Sequence, residues 1–189
     1  MTAALALLFL LASAPAVAPD AYVPGLCGYP GEHRCAPADT AHAHEVRRAF
    51  TALFALCDPS DAFAMEPHVR AQSRLHGVPV ALLVAVARVE SQCRAGLVSV
   101  KGAVGRWQIL PGGSAAAPVR GLSVERLVSD EVNCHLAARH LAKLRRMCGN
   151  WPAALSLYHG GNTKCSQKPT EYSKKVMGYW RQATQPRRS

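Results

Sequence analysis

Apolar residues crowd the stretch from Val80 to Cys93, VALLVAVARVESQC, where the first ten positions carry a single charge, Arg88. A segment apolar on every face predicts a helix in the middle of a core rather than on its surface. Pro79 suits the first helical position, where a missing N–H costs nothing. On either side the period lengthens to that of half-buried helices. Asp39 or Thr40 opens a helix to about Cys57, with Val46, Ala49, Phe50, Leu53 and Phe54 as its stripe. Asp58-Pro59-Ser60-Asp61 breaks the chain, and a short helix follows around Pro67–His76, ended by Gly77. Arg94 to Pro118 reads as loop and short turns, with glycines at 96, 102, 105, 112 and 113. Ser129 or Asp130 then caps a long helix to Cys148, striped by Val132, Leu136, Leu141, Leu144 and Met147. A short helix over Pro152–Tyr158 and a last one from Thr170 to about Ala183 complete the pattern. Strand alternation is scarce and there are no repeats, so the expected fold class is all-α.

Composition narrows the setting. With 189 residues, 49% of them hydrophobic, the chain can bury one good core, which predicts one domain. The opening run ALALLFLLASAPAVA has the length and small-residue ending of a secretory signal peptide. Pro15 and Pro19 interrupt it too early for a membrane span, and no second long apolar run is present to anchor the mature protein. The expected organisation is a signal peptide over residues 1–18, a cysteine-containing arm and helix over 19–65, a catalytic domain over 66–184 and a basic tail over 185–189. All seven cysteines lie beyond the leader and none forms a C-x-x-C pair. That predicts disulfides in a secreted or periplasmic protein, with one thiol left over. Cys27–Cys35 and Cys148–Cys165 would each close a short loop.

The formal charge of +10 is concentrated late in the chain and suits an anionic polymer such as a bacterial wall. Nucleic acid would suit it equally, but no DNA- or RNA-binding motif accompanies the charge. His42 and His44, two residues apart on a helix, do not share a face, which argues against a metal there. His140 falls on the stripe of the long helix and reads as a hydrogen-bonded core histidine.

One carboxylate stands out. Glu90 lies at i+7 from Leu83 and i+3 from Ala87, so it continues the buried face of the central helix. Desolvation there disfavours the charged form, which is how a glutamic acid is kept protonated for general-acid work. A solvated or Arg88-paired side chain is the structural alternative. Downstream come hydroxyls at Ser91 and Ser99, the amide of Gln108, and small residues at Gly102, Ala103 and Gly105. Small residues admit a ligand close to the backbone, and amides and hydroxyls suit sugars and N-acetyl groups. Trp107 fits either a sugar-stacking face or the core.

Taken together, Glu90-Ser91, Ser99, Gly102-Ala103-Val104-Gly105, Gln108 and Pro111 resemble the catalytic segment of the soluble lytic transglycosylases, in the goose-type-lysozyme-like group. The resemblance continues through Asn133, Leu157-Tyr158-His159-Gly160-Gly161-Asn162, and Tyr172 with Lys175-Val176, and covers about residues 75–180. It implies a lysozyme-like domain with a cleft beside the central helix. Its substrate would be peptidoglycan glycan strands, cut at the MurNAc-GlcNAc β-1,4 bond to leave a 1,6-anhydromuramyl end. Glu90 would be acid and then base, with no metal or organic cofactor. Tyr158 would hydrogen-bond near Glu90, Ser99 and Gln108 would hold the N-acetylmuramyl unit, and Ser91 and Tyr172 would shape the cleft. Small cutters of this kind often open the wall for a cell-envelope-spanning machine, which sets the partner expectation beside an absence of nucleic acid.

Two departures are notable. Arg106-Trp107 replaces the family's Leu-Met, which is expected to change the cleft wall beside Gln108. His159 replaces the Asn after the tyrosine and removes a substrate-facing amide. Ordinary glycosidases need two carboxylates, yet Glu90 is the only acid between Glu66 and Glu125. That favours a single-acid mechanism over the alternative of a goose-type-like muramidase. A cationic wall-binding protein that has kept the fold but lost activity is the alternative from another class.

Overall fold

The central helix exists as the sequence predicts. A computed structural model describes residues 37–113, 115, 122–160, 164–165 and 168–185, and there it is one of seven helices. In chain order they are α1 (Pro37–Leu56), α2 (Pro59–His76), α3 (Val80–Ser91), α4 (Val124–Val128), α5 (Asp130–Cys148), α6 (Trp151–Gly160) and α7 (Glu171–Thr184). Helix α3 touches α1, α2, α5 and α7, and Leu82 to Ala87 are all fully buried. The all-α expectation holds: the only β-type pairing among the described residues is two isolated bridges, Val98 with Val104 and Val104 with Ile109.

Local chemistry sets most of the boundaries. Thr170 accepts a hydrogen bond from the Ser173 amide and so starts α7. Asn150 does the same for the Ala153 amide at the start of α6. Left-handed Gly77 and Gly149 close α2 and α5. Two elements differ from expectation. Helix α2 begins at Pro59 rather than near Pro67, because Pro59 takes the first-turn position and the turn at Cys57-Asp58 alone makes the break. The helix runs through Pro67, whose interior cost is about 3 kcal/mol, since Ala62, Met65 and Val69 bury on both sides of it. Helix α4 is five residues long, capped by Ser123, and too short to leave a periodic signature.

Ala52, Leu53 and Leu56 of α1 share one core with α3, Trp107, Leu136 and Val176. Two disulfides brace this body. Cys148–Cys165 forms as expected, and Cys57–Cys93 joins the end of α1 to the residues just beyond α3, a pairing that spacing did not suggest. Cys27–Cys35 and the leader lie outside the described residues. Cys134 is a free, buried thiol, and burial pushes its pKa up, which keeps it inert. Among the described residues no helix is long and apolar enough to cross a membrane.

Candidate active site

Three helix ends meet at Glu90. It is the penultimate residue of α3, while His159 is the penultimate residue of α6 and Tyr172 is in the first turn of α7. The Tyr172 hydroxyl donates to Glu90 Oε1 at 2.6 Å. Burial pushes the Glu90 carboxyl above the usual Glu range, and the Tyr172 hydrogen bond opposes that rise without cancelling it. The carbonyl end of α3 acts in the same sense as burial, since a negative charge at a helix C-terminus is disfavoured. Burial and the nearby Glu90 charge in turn hold the Tyr172 and Tyr158 phenols well above their ordinary values, so both remain protonated donors. Among the described residues Glu90 enters no ion pair.

Beyond Glu90 the backbone turns sharply. Gln92 and Cys93 both take left-handed conformations, and the Cys93 amide bonds back to the Ala87 carbonyl. Ser91 is buried, with its hydroxyl 3.1 Å from the Ala87 carbonyl and 2.8 Å from that of Arg106. It therefore ties α3 to the loop that folds back over it. The Tyr158 hydroxyl donates to the Trp107 carbonyl at 3.0 Å and braces the same loop from the α6 side.

The loop itself is built on Val104, which exchanges both backbone hydrogen bonds with Ile109. Ser99 caps its first turn, accepting from the Ala103 amide at 3.0 Å. Gln108 has a positive φ of 48°, and its amide nitrogen donates to the Leu97 and Gly105 carbonyls. Its amide oxygen is the acceptor that remains. Asn133, fully buried on α5, clamps the loop from below: its side chain accepts from the Trp107 amide and donates to the Val104 and Leu127 carbonyls. Gly105 must be glycine here. Its φ is +80°, and a Cβ would lie 2.6 Å from the Asn133 amide carbon.

Arg106 and Trp107 do not line the cleft. Trp107 is fully buried and its indole donates to the Leu83 carbonyl, so of its two readings the core one holds. Arg106 is 2% exposed and points inward, donating to Asp130 Oδ1 at 2.8 Å, to Asp61 Oδ1 at 2.5 Å and to the Cys93 carbonyl. The expected change of cleft wall is thus a change of core support. An arginine is accepted there because two carboxylates on α2 and α5 converge on it.

The structure brings together Glu90, Tyr172, Tyr158 and His159, and puts Ser91, Ser99 and Gln108 on the adjoining helix end and loop. The His159 ring lies 4.4 Å from the Tyr172 ring at an interplanar angle of 9°. Asn133 and Arg106 carry the loop without having been identified as its supports. Their signal was weak, because a polar residue's burial depends on partners far away in sequence. Among the described residues, no group of three or more His, Cys, Asp or Glu is placed to hold a metal ion.

A helical body wrapped on a central helix that ends in a half-buried carboxylic acid, with a clamped loop alongside, defines a lysozyme-like class of domain. Residues 68–177, more than half of the chain, match the transglycosylase SLT domain. The chain belongs to this family, which acts on peptidoglycan. No individual curated protein matches it.

Proposed function

We propose that the protein is a lytic transglycosylase that cuts the MurNAc-GlcNAc bond of peptidoglycan with Glu90 as its single acid and base. The carrying observation is the Glu90 carboxyl, half-buried at a helix end and held at 2.6 Å by Tyr172. Protonated Glu90 gives its proton to the glycosidic oxygen as the C1–O bond breaks. The substrate's own N-acetyl oxygen stabilises the oxocarbenium-like centre. The Glu90 carboxylate then takes the proton of the muramyl C6 hydroxyl, whose oxygen closes on C1. No water is consumed, and the enzyme returns to its starting protonation state.

Five other described carboxylates are engaged in ion pairs, which suits a one-acid scheme: Asp61 and Asp130 with Arg106, Glu66 with Arg70, Glu45 with Arg74 and Glu171 with Lys174. Burial and Tyr172 are the influences acting on Glu90, with no neighbouring carboxylate among them. In this reading Tyr172 orients the acid, Tyr158 and Ser91 keep the loop in register with it, and Ser99 and Gln108 face the muramyl unit. Residues 37–67, upstream of the matched region, serve as scaffold for the same catalytic body. Two disulfides suit a protein that works outside the reducing cytosol, as cell-wall chemistry requires.

The test compares the oxidised protein with Glu90→Gln on purified peptidoglycan, measuring soluble muropeptides and sedimentation with the wall. Release by the parent, loss in the variant and equal sedimentation of both support the assignment. Wall binding by both without release would make the protein a binder instead.

A further inference from the structure

His159 is an exposed residue on the last turn of α6, yet its ring has a definite place. It lies flat on Tyr172, with centroids 4.4 Å apart and planes within 9° of parallel. Tyr172 in turn is buried and its hydroxyl meets Glu90 Oε1 at 2.6 Å. A phenol at the N-terminal turn of a helix can swing about its first side-chain torsion unless something covers its face. Tyr172 belongs to the hydrophobic core, and the imidazole from α6 stacks on its ring.

We propose that His159 is a positioning residue that acts through Tyr172. By stacking on that ring it holds the phenol hydroxyl on the Glu90 carboxyl, and so sets both the orientation and the proton affinity of the acid. The inference rests on the reading of Glu90 as the catalytic acid. The titratable groups facing this carboxyl are Tyr172 from α7 and Tyr158 from α6, with His159 one ring further out.

A face-to-face pair of this kind restrains a ring by roughly fivefold in population. His159→Ala should therefore lower kcat roughly fivefold and leave KM within about twofold, since the histidine orients the acid rather than the substrate. His159→Phe keeps a flat ring on Tyr172 and should restore most of the loss. The second readout is independent of turnover: the pH midpoint of the Glu90 carboxyl, followed by carbon NMR. Losing the Tyr172 hydrogen bond removes the interaction that lowers this midpoint. It should move upward in His159→Ala, as in Tyr172→Phe, and stay near the parent value in His159→Phe.

An unchanged midpoint in His159→Ala would overturn the proposal, and so would an equal loss in the Ala and Phe variants. Should the parent release no muropeptide, the catalytic reading fails, while the midpoints still decide whether His159 is coupled to Glu90 through Tyr172.

Discussion

Substituting Asn133 by alanine should be among the costliest single changes in this protein. The side chain is fully buried and makes three hydrogen bonds, to the Trp107 amide and the Val104 and Leu127 carbonyls. The Val104 carbonyl keeps a second donor, the Ile109 amide, at 2.9 Å. Truncation therefore leaves two buried backbone groups, the Trp107 N–H and the Leu127 C=O, without that partner. At about 1–3 kcal/mol for each stranded group, plus a small cavity, the expected cost is about 3–5 kcal/mol. Gly105→Ala should cost a similar amount by another route, because its Cβ would displace Asn133 and adopt an unfavourable positive φ. The two effects overlap. In the double variant the Cβ meets no Asn133 side chain, so only the backbone strain is added to the Asn133 loss. The pair should then cost about 4–6 kcal/mol, well short of the sum of the singles. Urea unfolding with disulfides intact measures all three. An Asn133→Ala cost below about 1 kcal/mol, or strict additivity, would refute the clamp.

Other consequences follow from the same geometry. Glu90 has a raised pKa in the folded state, so its contribution to stability is fully present below the unfolded-chain value and is lost as pH rises through the folded one. Glu90→Gln should consequently raise the unfolding midpoint at pH 7 more than at pH 4 while abolishing turnover; an equal or opposite pH dependence would contradict it. The same shift predicts that the activity of the parent declines with rising pH at a midpoint above the usual Glu range, read from a kcat–pH profile. Replacing both Cys57 and Cys93 by alanine opens a loop of 36-residue separation and should cost about 4 kcal/mol by chain entropy, measured by denaturant unfolding. Arg106→Leu strands Asp61 and Asp130 and should cost about 3–5 kcal/mol at pH 7 by the same measurement, with Arg106→Lys recovering little because one ammonium cannot reproduce the fork.

The parts of the fold legible in the sequence are those encoded locally. Helix α3 announced itself by its apolar run, α5 by its stripe, α7 by its Thr170 cap, and α2 and α5 by their closing glycines. Pro59 and Pro67 misled because a proline's meaning depends on whether burial outweighs it, and that is a tertiary matter. The place of Glu90 on the central helix was legible from its phase, while its reading as an acid needed the motif downstream. Arg106 was not: it looked like a cleft residue because its partners Asp61 and Asp130 stand 45 and 24 positions away. For the same reason Cys57–Cys93 and the His159–Tyr172 stack could not be read from spacing. Left-handed Gln92, Cys93 and Gln108 likewise have no local signature, since the surrounding loop imposes their conformation.

The central claim is that Glu90 breaks the glycan without water. The most direct measurement is a digest of purified peptidoglycan by the oxidised protein in oxygen-18 water, with soluble products weighed by mass spectrometry. A transglycosylase releases muropeptides that carry no heavy oxygen and are lighter by one water than hydrolysis products. Reducing-end products labelled with oxygen-18 would contradict it and make the protein a hydrolase.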